Sequence, residues 1–337
     1  MLNALFKLTS LNNILKNRKM KVLANDGIAA SGKETLEKAG FTVVTETVAQ
    51  EDLIKVINEV GYEVILVRSA TKIRKDIIDA CPGIKMIGRG GVGMDNIDVD
   101  YGRSKGINVF NTPASSSQSV AELVMAHLFG AVRFMYDSNK EMAVNGTSDF
   151  KVLKKKYAKG IELRGKTLGI LGFGRIGQAL ASYALGCGMN VLASDINSGP
   201  FNIDVTVGGQ KVTVKVEGYS KQDLLQKSDF LSIHIPSTDK PIIGAEELHS
   251  MKDGAVILNA ARGGSIDEDA LIAALDSGKI AHAALDVFVN EPNPRADVLR
   301  HSKISLTPHI GAATLEAQDR IGGELASIII EHYNTQS

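Results

Sequence analysis

The feature that most constrains the fold of this chain is a regular alternation of short apolar strand patterns with amphipathic helix patterns. The early strand patterns are rich in β-branched residues and comprise residues 21–25, 43–45, 63–67 and 85–87. Helix patterns such as residues 33–39 and 52–60 lie between them, and each is followed by a glycine, which commonly ends a helix. This alternation predicts an α/β protein whose parallel sheet is covered by helices on both faces.

A second series of strand patterns follows later in the chain. Its members are residues 167–171, 191–193, 229–233, 255–258, 281–285 and 304–306. A chain of 337 residues is long for one hydrophobic core, so the two series predict two α/β domains. Residues 119–142 have the pattern of one long helix, whose apolar stripe fits either a core or a contact between subunits. Residues 202–219 alternate around Gly208-Gly209 and predict a β-hairpin.

The composition excludes several classes of protein. Lys and Arg total 38, as do Asp and Glu, so the net charge is zero and nucleic-acid binding is not expected. No apolar run reaches the roughly 18 residues of a membrane span, so no membrane association is expected. Cys81 and Cys187 form no CxxC motif, which argues against a disulfide framework and a zinc site. We therefore expect a reduced, cytoplasmic protein without a metal.

The first 19 residues differ from the rest because they contain basic side chains and no acidic one. Such a composition also occurs in mitochondrial transit peptides. A strand pattern begins directly after Met20, which favours a disordered extension ahead of a second possible start.

Residues 27–33 (GIAASGK) match the start of a phosphate-binding P-loop. That loop needs Ser or Thr after Lys33 to bind Mg²⁺, but Glu34 occupies the position. Because its carboxylate would repel a triphosphate, nucleoside triphosphate hydrolysis is not predicted.

A glycine turn, residues 172–177 (GFGRIG), follows a strand pattern and precedes a helix pattern. Gly172 would form the tight turn, Gly174 would admit a pyrophosphate, and Gly177 would let the helix pack closely on the strand. Asp195, 18 positions beyond Gly177, ends the next strand pattern. A carboxylate there accepts hydrogen bonds from ribose hydroxyls and repels a 2′-phosphate, so the turn predicts NAD in preference to NADP.

Three segments that follow later strand patterns carry candidate catalytic residues: Arg262, Glu291 and His309. Parallel sheets bind ligands at the carboxyl ends of their strands, so these side chains are expected to converge. A histidine can exchange the proton of a hydroxyl that loses a hydride, a carboxylate can orient it, and a guanidinium can bind a substrate carboxylate. From the residues alone, a structural role for each also remains open.

Four blocks, GFGRIG (172–177), NAARGG (259–264), ALDVFVNEP (284–292) and TPHIGA (307–312), resemble the signature blocks of the D-isomer-specific 2-hydroxyacid dehydrogenases in order and spacing. The resemblance covers about residues 20–333. It implies that Arg262 anchors the substrate, that His309 is the general acid/base and that Glu291 is its partner. It also implies a Rossmann-type doubly wound NAD-binding domain (114–310) inserted into a flavodoxin-like α/β substrate domain (20–113 and 311–337), and a homodimer or larger homo-oligomer.

The same resemblance implies a set of residues that contact the cofactor. These are Val92, Gly172, Gly174, Arg175, Ile176, Gly177, Asp195, Ile235, Ala260, Ala261, Arg262, Asp286, His309 and Gly311.

Within the family the chain is most similar to the 3-phosphoglycerate dehydrogenases, especially over residues 67–72 (VRSATK) and 88–99 (GRGGVGMDNIDV). The implied reaction is NAD-dependent oxidation of D-3-phosphoglycerate to 3-phosphohydroxypyruvate, which begins L-serine biosynthesis. Arg262 and the backbone N–H groups of the glycine-rich segment would bind the substrate carboxylate, and further arginines the phosphate. The implied substrate contacts are Arg68, Arg89, Gly91, Val92, Gly93, Arg133 and Arg262. Because the sequence ends at Ser337, the C-terminal regulatory domain of longer relatives and feedback by serine are not expected.

Two alternatives remain. The first is a reductase of hydroxypyruvate, glyoxylate or a D-lactate-type 2-keto acid, which would use the same catalytic residues on a smaller substrate. The second is an NAD-sensing co-regulator similar to the C-terminal binding proteins, which use this fold for protein contacts.

Overall fold

The computed structural model describes residues 20–335 and contains two parallel sheets and a two-stranded hairpin; the first parallel sheet has five strands in the order β2-β1-β3-β4-β5. Its strands are β1 (Lys21–Ala24), β2 (Thr42–Val44), β3 (Val64–Val67), β4 (Met86–Arg89) and β5 (Asn108–Asn111). The helices that follow them are α1 (Ala30–Lys38), α2 (Leu53–Val60), α3 (Lys75–Ala80) and α4 (Val99–Ser104). This strand order is the flavodoxin-like one, in which the chain direction across the sheet reverses between β1 and β3.

Gly32, the second glycine of the P-loop-like segment at residues 27–33, has a packing role. Helix α1 lies against the last helix of the chain, α12 (Leu315–Thr335), and a Cβ on Gly32 would lie only 2.5 Å from the carbonyl oxygen of Gly322. Gly32 therefore lets two helix backbones approach each other closely. This contact accounts for the glycine without a phosphate ligand.

The second sheet has six parallel strands in the order β13-β12-β11-β10-β6-β7. Its strands are β6 (Thr167–Leu171), β7 (Asn190–Ser194), β10 (Phe230–Ile233), β11 (Ala255–Asn259), β12 (Ile280–Leu285) and β13 (Ile304–Leu306). Its helices are α5 (Ser117–Val132), α6 (Met135–Lys156), α7 (Arg175–Gly186), α8 (Lys221–Lys227), α9 (Ala245–Ser250), α10 (Glu268–Asp276) and α11 (Ala296–Arg300). Every residue of β10 and β11 is buried, as expected for central strands covered on both faces. The predicted α/β class with doubly wound parallel sheets is confirmed.

Contacts between Cα atoms divide the chain into two compact units. Among the described residues, one contains residues 20–116 together with residues 315–335, and the other is Ser117–Thr314. The second unit is thus an insertion in the sequence of the first. The two crossing points lie three and four residues beyond the boundaries expected from the sequence. The extension expected at residues 1–19 lies outside the described residues.

The prediction of one long helix over residues 119–142 is wrong, because the segment contains two helices. Helix α5 ends at Val132, and α6 begins at Met135. Between them Phe134 has φ +54° and ψ +32°, a left-handed conformation that a continuing helix does not contain. The apolar periodicity continues across the break, so hydrophobic pattern alone did not reveal it.

The predicted hairpin at residues 202–219 is confirmed. It consists of β8 (Phe201–Val207) and β9 (Gln210–Val216), which pair antiparallel around Gly208 and Gly209. Both glycines have positive φ, as a two-residue hairpin turn requires. Ile203, Val205 and Val216 join the hydrophobic core of the second unit, so one face of the hairpin extends that core.

Candidate active site

The segment that carries Arg262 follows β11 and is shaped by its first residue. The Asn259 side chain donates to the carbonyl oxygen of Arg262 at 2.9 Å and accepts from the N–H of Ala261 at 3.1 Å. A Cβ on Gly263 would lie 1.8 Å from the carbonyl oxygen of Phe288. This glycine therefore allows the turn after β11 to contact the segment after β12, where Glu291 lies.

His309 and Glu291 form a hydrogen-bonded pair. His309 Nδ1 lies 2.7 Å from Glu291 Oε2, and the other carboxylate oxygen of Glu291 accepts from the N–H of Phe288 at 2.8 Å. The side chains retain exposed fractions of 40% and 33%. The carboxylate is thus held by its own segment, and it fixes one imidazole nitrogen while the ring remains accessible.

Glu291 is kept ionised by its surroundings. Burial raises the pKa of this carboxyl group, but hydrogen bonds from His309 and from the N–H of Phe288 outweigh burial, and the charge of Arg262 adds to their effect. The pKa is therefore below its ordinary value. The ionised carboxylate hydrogen-bonds to Nδ1 of His309 and orients the ring.

Arg262 lies close enough to act on this pair electrostatically. Its Nη1 atom donates to the carbonyl oxygen of Ala261 at 2.6 Å, which holds the guanidinium against its own turn. The structure therefore brings together the three predicted catalytic residues, Arg262, Glu291 and His309, at the carboxyl ends of β11, β12 and β13.

Two residues of this cluster have left-handed backbone conformations. His309 has φ +55°, and Asn290, next to Glu291, has φ +61°. Non-glycine residues in this region cost about 1–2 kcal/mol each, and they persist where the surrounding structure determines them. Strain of this kind concentrates at functional sites.

Asp286 holds the segment that carries His309. The residue is 1% exposed. Its Oδ1 accepts from the hydroxyl of Thr307 at 2.6 Å and from the N–H of Ile310 at 2.9 Å. Its Oδ2 accepts from the N–H of Gly311 at 2.8 Å. A carboxylate has about four lone-pair sites, so one acceptor position remains on Oδ2. That position is compatible with the expected cofactor contact.

The glycine turn lies where the strand order of the second sheet reverses, between β6 and β10. Gly172 has φ +92°, and a Cβ there would lie 2.4 Å from the carbonyl oxygen of His234, just after β10. A Cβ on Gly177 would lie 2.5 Å from the carbonyl oxygen of Gly172, whereas Gly174 is exposed and a Cβ added there would meet no atom within 4 Å. The first and third glycines are thus required for packing, and the second leaves open space.

This open space lies at the start of α7. Gly174 caps the helix with no side-chain hydrogen bond, and Arg175 beside it is exposed. Backbone N–H groups at a helix start attract anions. The turn therefore fits the pyrophosphate of NAD.

Asp195 immediately follows β7 and has a second role that sequence reasoning missed. Its Oδ2 accepts from the N–H of Phe173 at 2.6 Å, so the carboxylate supports the glycine turn, and its contact with the ribose stays a prediction. The neighbouring Ile196 is 99% exposed. The sequence alone could not reveal the bond to Phe173, because that bond and the expected ribose contact both require an acid at this position.

The remaining expected cofactor contacts of the second unit also follow strand ends. Ile235 follows β10, Ala260 and Ala261 follow β11, and Gly311 is bonded to Asp286. Val92 belongs to the first unit and is 37% exposed.

The first unit groups Arg68 and Arg89 around a glycine turn. Arg68 follows β3, and Arg89 ends the neighbouring β4, paired in register with Val67. A Cβ on Gly91 would lie 1.8 Å from an Arg89 guanidinium nitrogen, and one on Gly90 would lie 3.7 Å from Arg68 Cγ. The two cations therefore flank the same turn at the carboxyl edge of the sheet.

The expectation that the N–H of Gly91 binds a substrate carboxylate is wrong for this structure. That N–H donates to Thr112 Oγ1 at 2.8 Å, so it is already satisfied. Val92 and Gly93 continue the turn and remain candidates. The sequence did not point to Thr112 as the partner of Gly91, because Thr112 directly follows β5, a strand that was not predicted.

Arg133 is not brought together with His309 within the chain. It directly follows α5, whose opposite end contacts Gly311 through Val120. A helix rises about 1.5 Å per residue, so Arg133 lies about 20 Å along the helix from that contact. Its neighbours are Phe129, Ile161 and Arg164, which line a surface groove with it. The contact of Arg133 with the substrate stays a prediction.

Two further properties concern the part of the chain that the structure describes. Between residues 20 and 335, no cluster of three or more His, Cys, Asp or Glu residues is arranged to hold a metal ion. No helix within the same range is long and apolar enough to cross a membrane.

The comparisons with known proteins agree with this geometry. The sequence model "D-isomer specific 2-hydroxyacid dehydrogenase, NAD binding domain" matches residues 125–311. A hydroxypyruvate reductase of Thermotoga maritima is 41% identical, with 92% of this chain and 97% of the relative covered. A D-3-phosphoglycerate dehydrogenase of Methanocaldococcus jannaschii is 40% identical over 92% of this chain, which spans 57% of that relative's length.

A solved structure of a relative has the same fold. The NAD⁺-bound 3-phosphoglycerate dehydrogenase of Entamoeba histolytica has a TM-score of 0.73 and 28% identity, with 95% of this chain and 97% of that chain covered. The family match and the relatives agree with the parallel sheets and the glycine turn of the structure. The chain is a member of the D-isomer-specific 2-hydroxyacid dehydrogenase family, an NAD-dependent oxidoreductase of 2-hydroxy acids.

Proposed function

We propose that the protein catalyses the NAD-dependent interconversion of D-3-phosphoglycerate and 3-phosphohydroxypyruvate, the step that supplies the keto acid for L-serine synthesis. The observation that carries the catalytic part is the 2.7 Å contact of His309 Nδ1 with Glu291 Oε2 beside Arg262. An ionised carboxylate on one imidazole nitrogen leaves the other nitrogen to exchange a proton with a substrate hydroxyl.

When bound, NAD⁺ would supply the acceptor for the hydride from C2 of the hydroxy acid. His309 Nε2 receives the hydroxyl proton, and the Glu291 carboxylate stabilises the imidazolium that results. Arg262 binds the substrate carboxylate and polarises the adjacent oxygen. In the reducing direction, His309 returns the proton to the oxygen as the alcohol forms.

The residues that hold the cofactor are the start of α7 for the pyrophosphate and Asp195 for the ribose. Asp286 keeps one acceptor position for the carboxamide of the nicotinamide. These assignments are supported by the open space at Gly174 and by the two bonds that Asp195 and Asp286 make to the surrounding backbone.

The phosphate assignment rests on Arg68 and Arg89. Because Arg262 is assigned to the carboxylate, two guanidinium groups around one turn of the first unit exceed what a substrate with a single carboxylate needs. Guanidinium groups bind phosphate with bidentate, charge-assisted hydrogen bonds. The D-3-phosphoglycerate dehydrogenases among the relatives support the same assignment.

Hydroxypyruvate is the second candidate substrate. It is favoured by the 41% identity to the hydroxypyruvate reductase of Thermotoga maritima, which this chain matches over 97% of that relative's length. The chemistry at His309 would be unchanged, and only the group at C3 would differ.

We also propose that a second copy of the chain covers α6. Many apolar side chains of this helix are exposed: Met135, Met142, Val144, Phe150 and Val152. Exposed apolar side chains concentrated on one helix support its burial against a partner. Phe129 of α5 is also exposed and lines a groove with Arg133.

The substrate test is NADH oxidation by purified protein with 3-phosphohydroxypyruvate and with hydroxypyruvate. We expect kcat/KM to favour the phosphorylated acid by about 100-fold, equivalent to about 2.7 kcal/mol, a reasonable contribution for a desolvated phosphate pair. Arg68→Gln should remove most of that preference. The exposed Arg300→Gln has the same charge change and should retain it. Equal rates for both acids, or faster hydroxypyruvate reduction, would replace the first substrate with the second.

A further inference from the structure

The loop that carries His309 is held from behind by a chain of hydrogen bonds that ends at a histidine on α5. Asp286 accepts from the N–H groups of Ile310 and Gly311, the two residues that follow His309, at 2.9 and 2.8 Å. It also accepts from the Thr307 hydroxyl at 2.6 Å. The left-handed backbone of His309 therefore lies between fixed points on both sides.

The chain continues from Thr307 to His127. The hydroxyl oxygen of Thr307 lies 2.9 Å from Nε2 of His127. A hydroxyl has one proton, and in Thr307 that proton points to the Asp286 carboxylate. The His127 nitrogen must then be the donor, so the order of donation is His127 to Thr307 to Asp286.

His127 is suited to this role because it is neutral and partly buried. Burial lowers its pKa, and the negative charge of Asp286 opposes this effect without reversing it. His282 on β12 is the other titratable group that interacts with it. A neutral imidazole protonated on Nε2 can donate to Thr307 without placing a charge behind the loop.

The helix that carries His127 is attached to the same loop at a second point. Ser119 Oγ donates to the carbonyl oxygen of Gly311 at 2.6 Å. Val120 packs against Gly311, where an added Cβ would be 3.3 Å from Val120 Cγ2. Helix α5 therefore sets the position of His127 relative to the loop.

We infer that His127 is a positioning residue for the reaction, acting through Thr307 and Asp286 to hold His309 in its strained, productive conformation. The inference rests on the proposed role of His309 as the acid/base. His127 itself contacts neither substrate nor cofactor in this scheme.

The test compares pairs of variants in the full-length protein. His127→Leu removes the donor and Thr307→Val removes the hydroxyl, whereas His127→Gln and Thr307→Ser retain a group that can make the same bond. We expect the first pair to lower kcat about tenfold, equivalent to about 1.4 kcal/mol, with KM for the keto acid and the Kd of NADH changed less than about threefold. The second pair should retain most of the turnover.

Two further variants separate positioning from general destabilisation. His282→Leu removes another partly buried histidine, which bonds to Ser305 on β13 and not to the loop. It should lower the Tm while leaving kcat unchanged. The double variant His127→Leu/Thr307→Val should be no slower than the slower single variant, because both substitutions break one chain.

The outcomes distinguish this inference from the proposed function. If His309→Gln abolishes turnover while His127→Leu and Thr307→Val keep the normal kcat, the positioning role is wrong and the catalytic assignment remains. If His309→Gln itself retains turnover, the catalytic assignment is wrong. If His282→Leu lowers kcat as much as His127→Leu does, the effect is one of stability, and the inference fails.

Discussion

At the scale of single residues, carboxylates that are predicted to act in the reaction or to bind the cofactor also hold the backbone of the site in place. Glu291 bonds to the N–H of Phe288 as well as to His309, and Asp195, the residue predicted to bind the ribose, bonds to the N–H of Phe173. Each carboxylate is thus fixed before any ligand binds. Such preorganisation reduces the reorganisation needed during the reaction.

Cofactor preference can be tested at Asp195 without loss of the turn. Asp195→Asn keeps an oxygen that can accept from the N–H of Phe173 but removes the charge that repels a 2′-phosphate. We predict that the ratio of kcat/KM for NADH to that for NADPH falls by at least about tenfold, or about 1.4 kcal/mol. The measurement is steady-state oxidation of both cofactors with one keto acid. An unchanged ratio would show that the charge of Asp195 does not set the preference.

The sequence revealed the reactive side chains of this site better than their supports. Arg262, Glu291 and His309 were predicted because their types and spacing match a known chemistry, and the structure brings them together. The satisfied N–H of Gly91 and the distance of Arg133 from His309 were not predictable, because both depend on the tertiary path of the chain. Hydrogen bonds such as Thr112 to Gly91 leave no pattern in one sequence.

At the scale of elements, glycines determine where helices and strands approach closely. The contact of α1 with α12 at Gly32 and Gly322 shows that a P-loop-like sequence can arise from a packing requirement. Apart from β5, the strands of the two parallel sheets were predicted within a few residues, because buried parallel strands are strongly apolar. The break between α5 and α6 was missed because it depends on one left-handed residue, Phe134.

The packing role of Gly32 predicts a specific difference between two glycine variants. Gly32→Ala would force its Cβ to within 2.5 Å of the Gly322 carbonyl oxygen, so we predict a loss of about 1–3 kcal/mol in the free energy of unfolding. Gly323 has no atom within 4 Å of an added Cβ, so Gly323→Ala should be neutral or stabilise the protein by up to about 1 kcal/mol.

Urea unfolding of both variants and the parent chain measures this difference. Equal stability of Gly32→Ala and the parent would contradict the close helix contact. A loss for Gly323→Ala as large as that for Gly32→Ala would show that helix α12 tolerates no added methyl group, whatever its surroundings.

At the scale of the whole molecule, two partly buried histidines link stability to pH. Burial lowers the pKa of His234 and of His282 to about 4 each. The ordinary histidine pKa in an unfolded chain is about 6.5, so the unfolded state binds protons at a higher pH than the folded state does. This contribution to stability is present in full above pH 6.5 and decreases as the pH falls towards 4.

We therefore predict that the free energy of unfolding declines between about pH 6.5 and pH 4, and that His282→Gln reduces the decline. The expected size is at most about 3 kcal/mol per histidine at the acid end. Denaturant titrations at several pH values measure it, with His249→Gln, an exposed histidine of α9, as the control. If the free energy of unfolding declines with falling pH by the same amount in the parent protein, His282→Gln and His249→Gln, then His282 does not contribute to the decline.

The central claim is that His309 exchanges the proton of the substrate hydroxyl while NAD carries the hydride. The most direct measurement is turnover of His309→Gln with NADH and its keto acid, together with the Kd of NADH from fluorescence. We predict that kcat falls by about 10²–10⁴-fold, the usual contribution of a general acid, while the Kd changes less than about threefold. His249→Gln should match the parent protein in both quantities. Near-normal kcat in His309→Gln would contradict the account, because the proton would then come from another group.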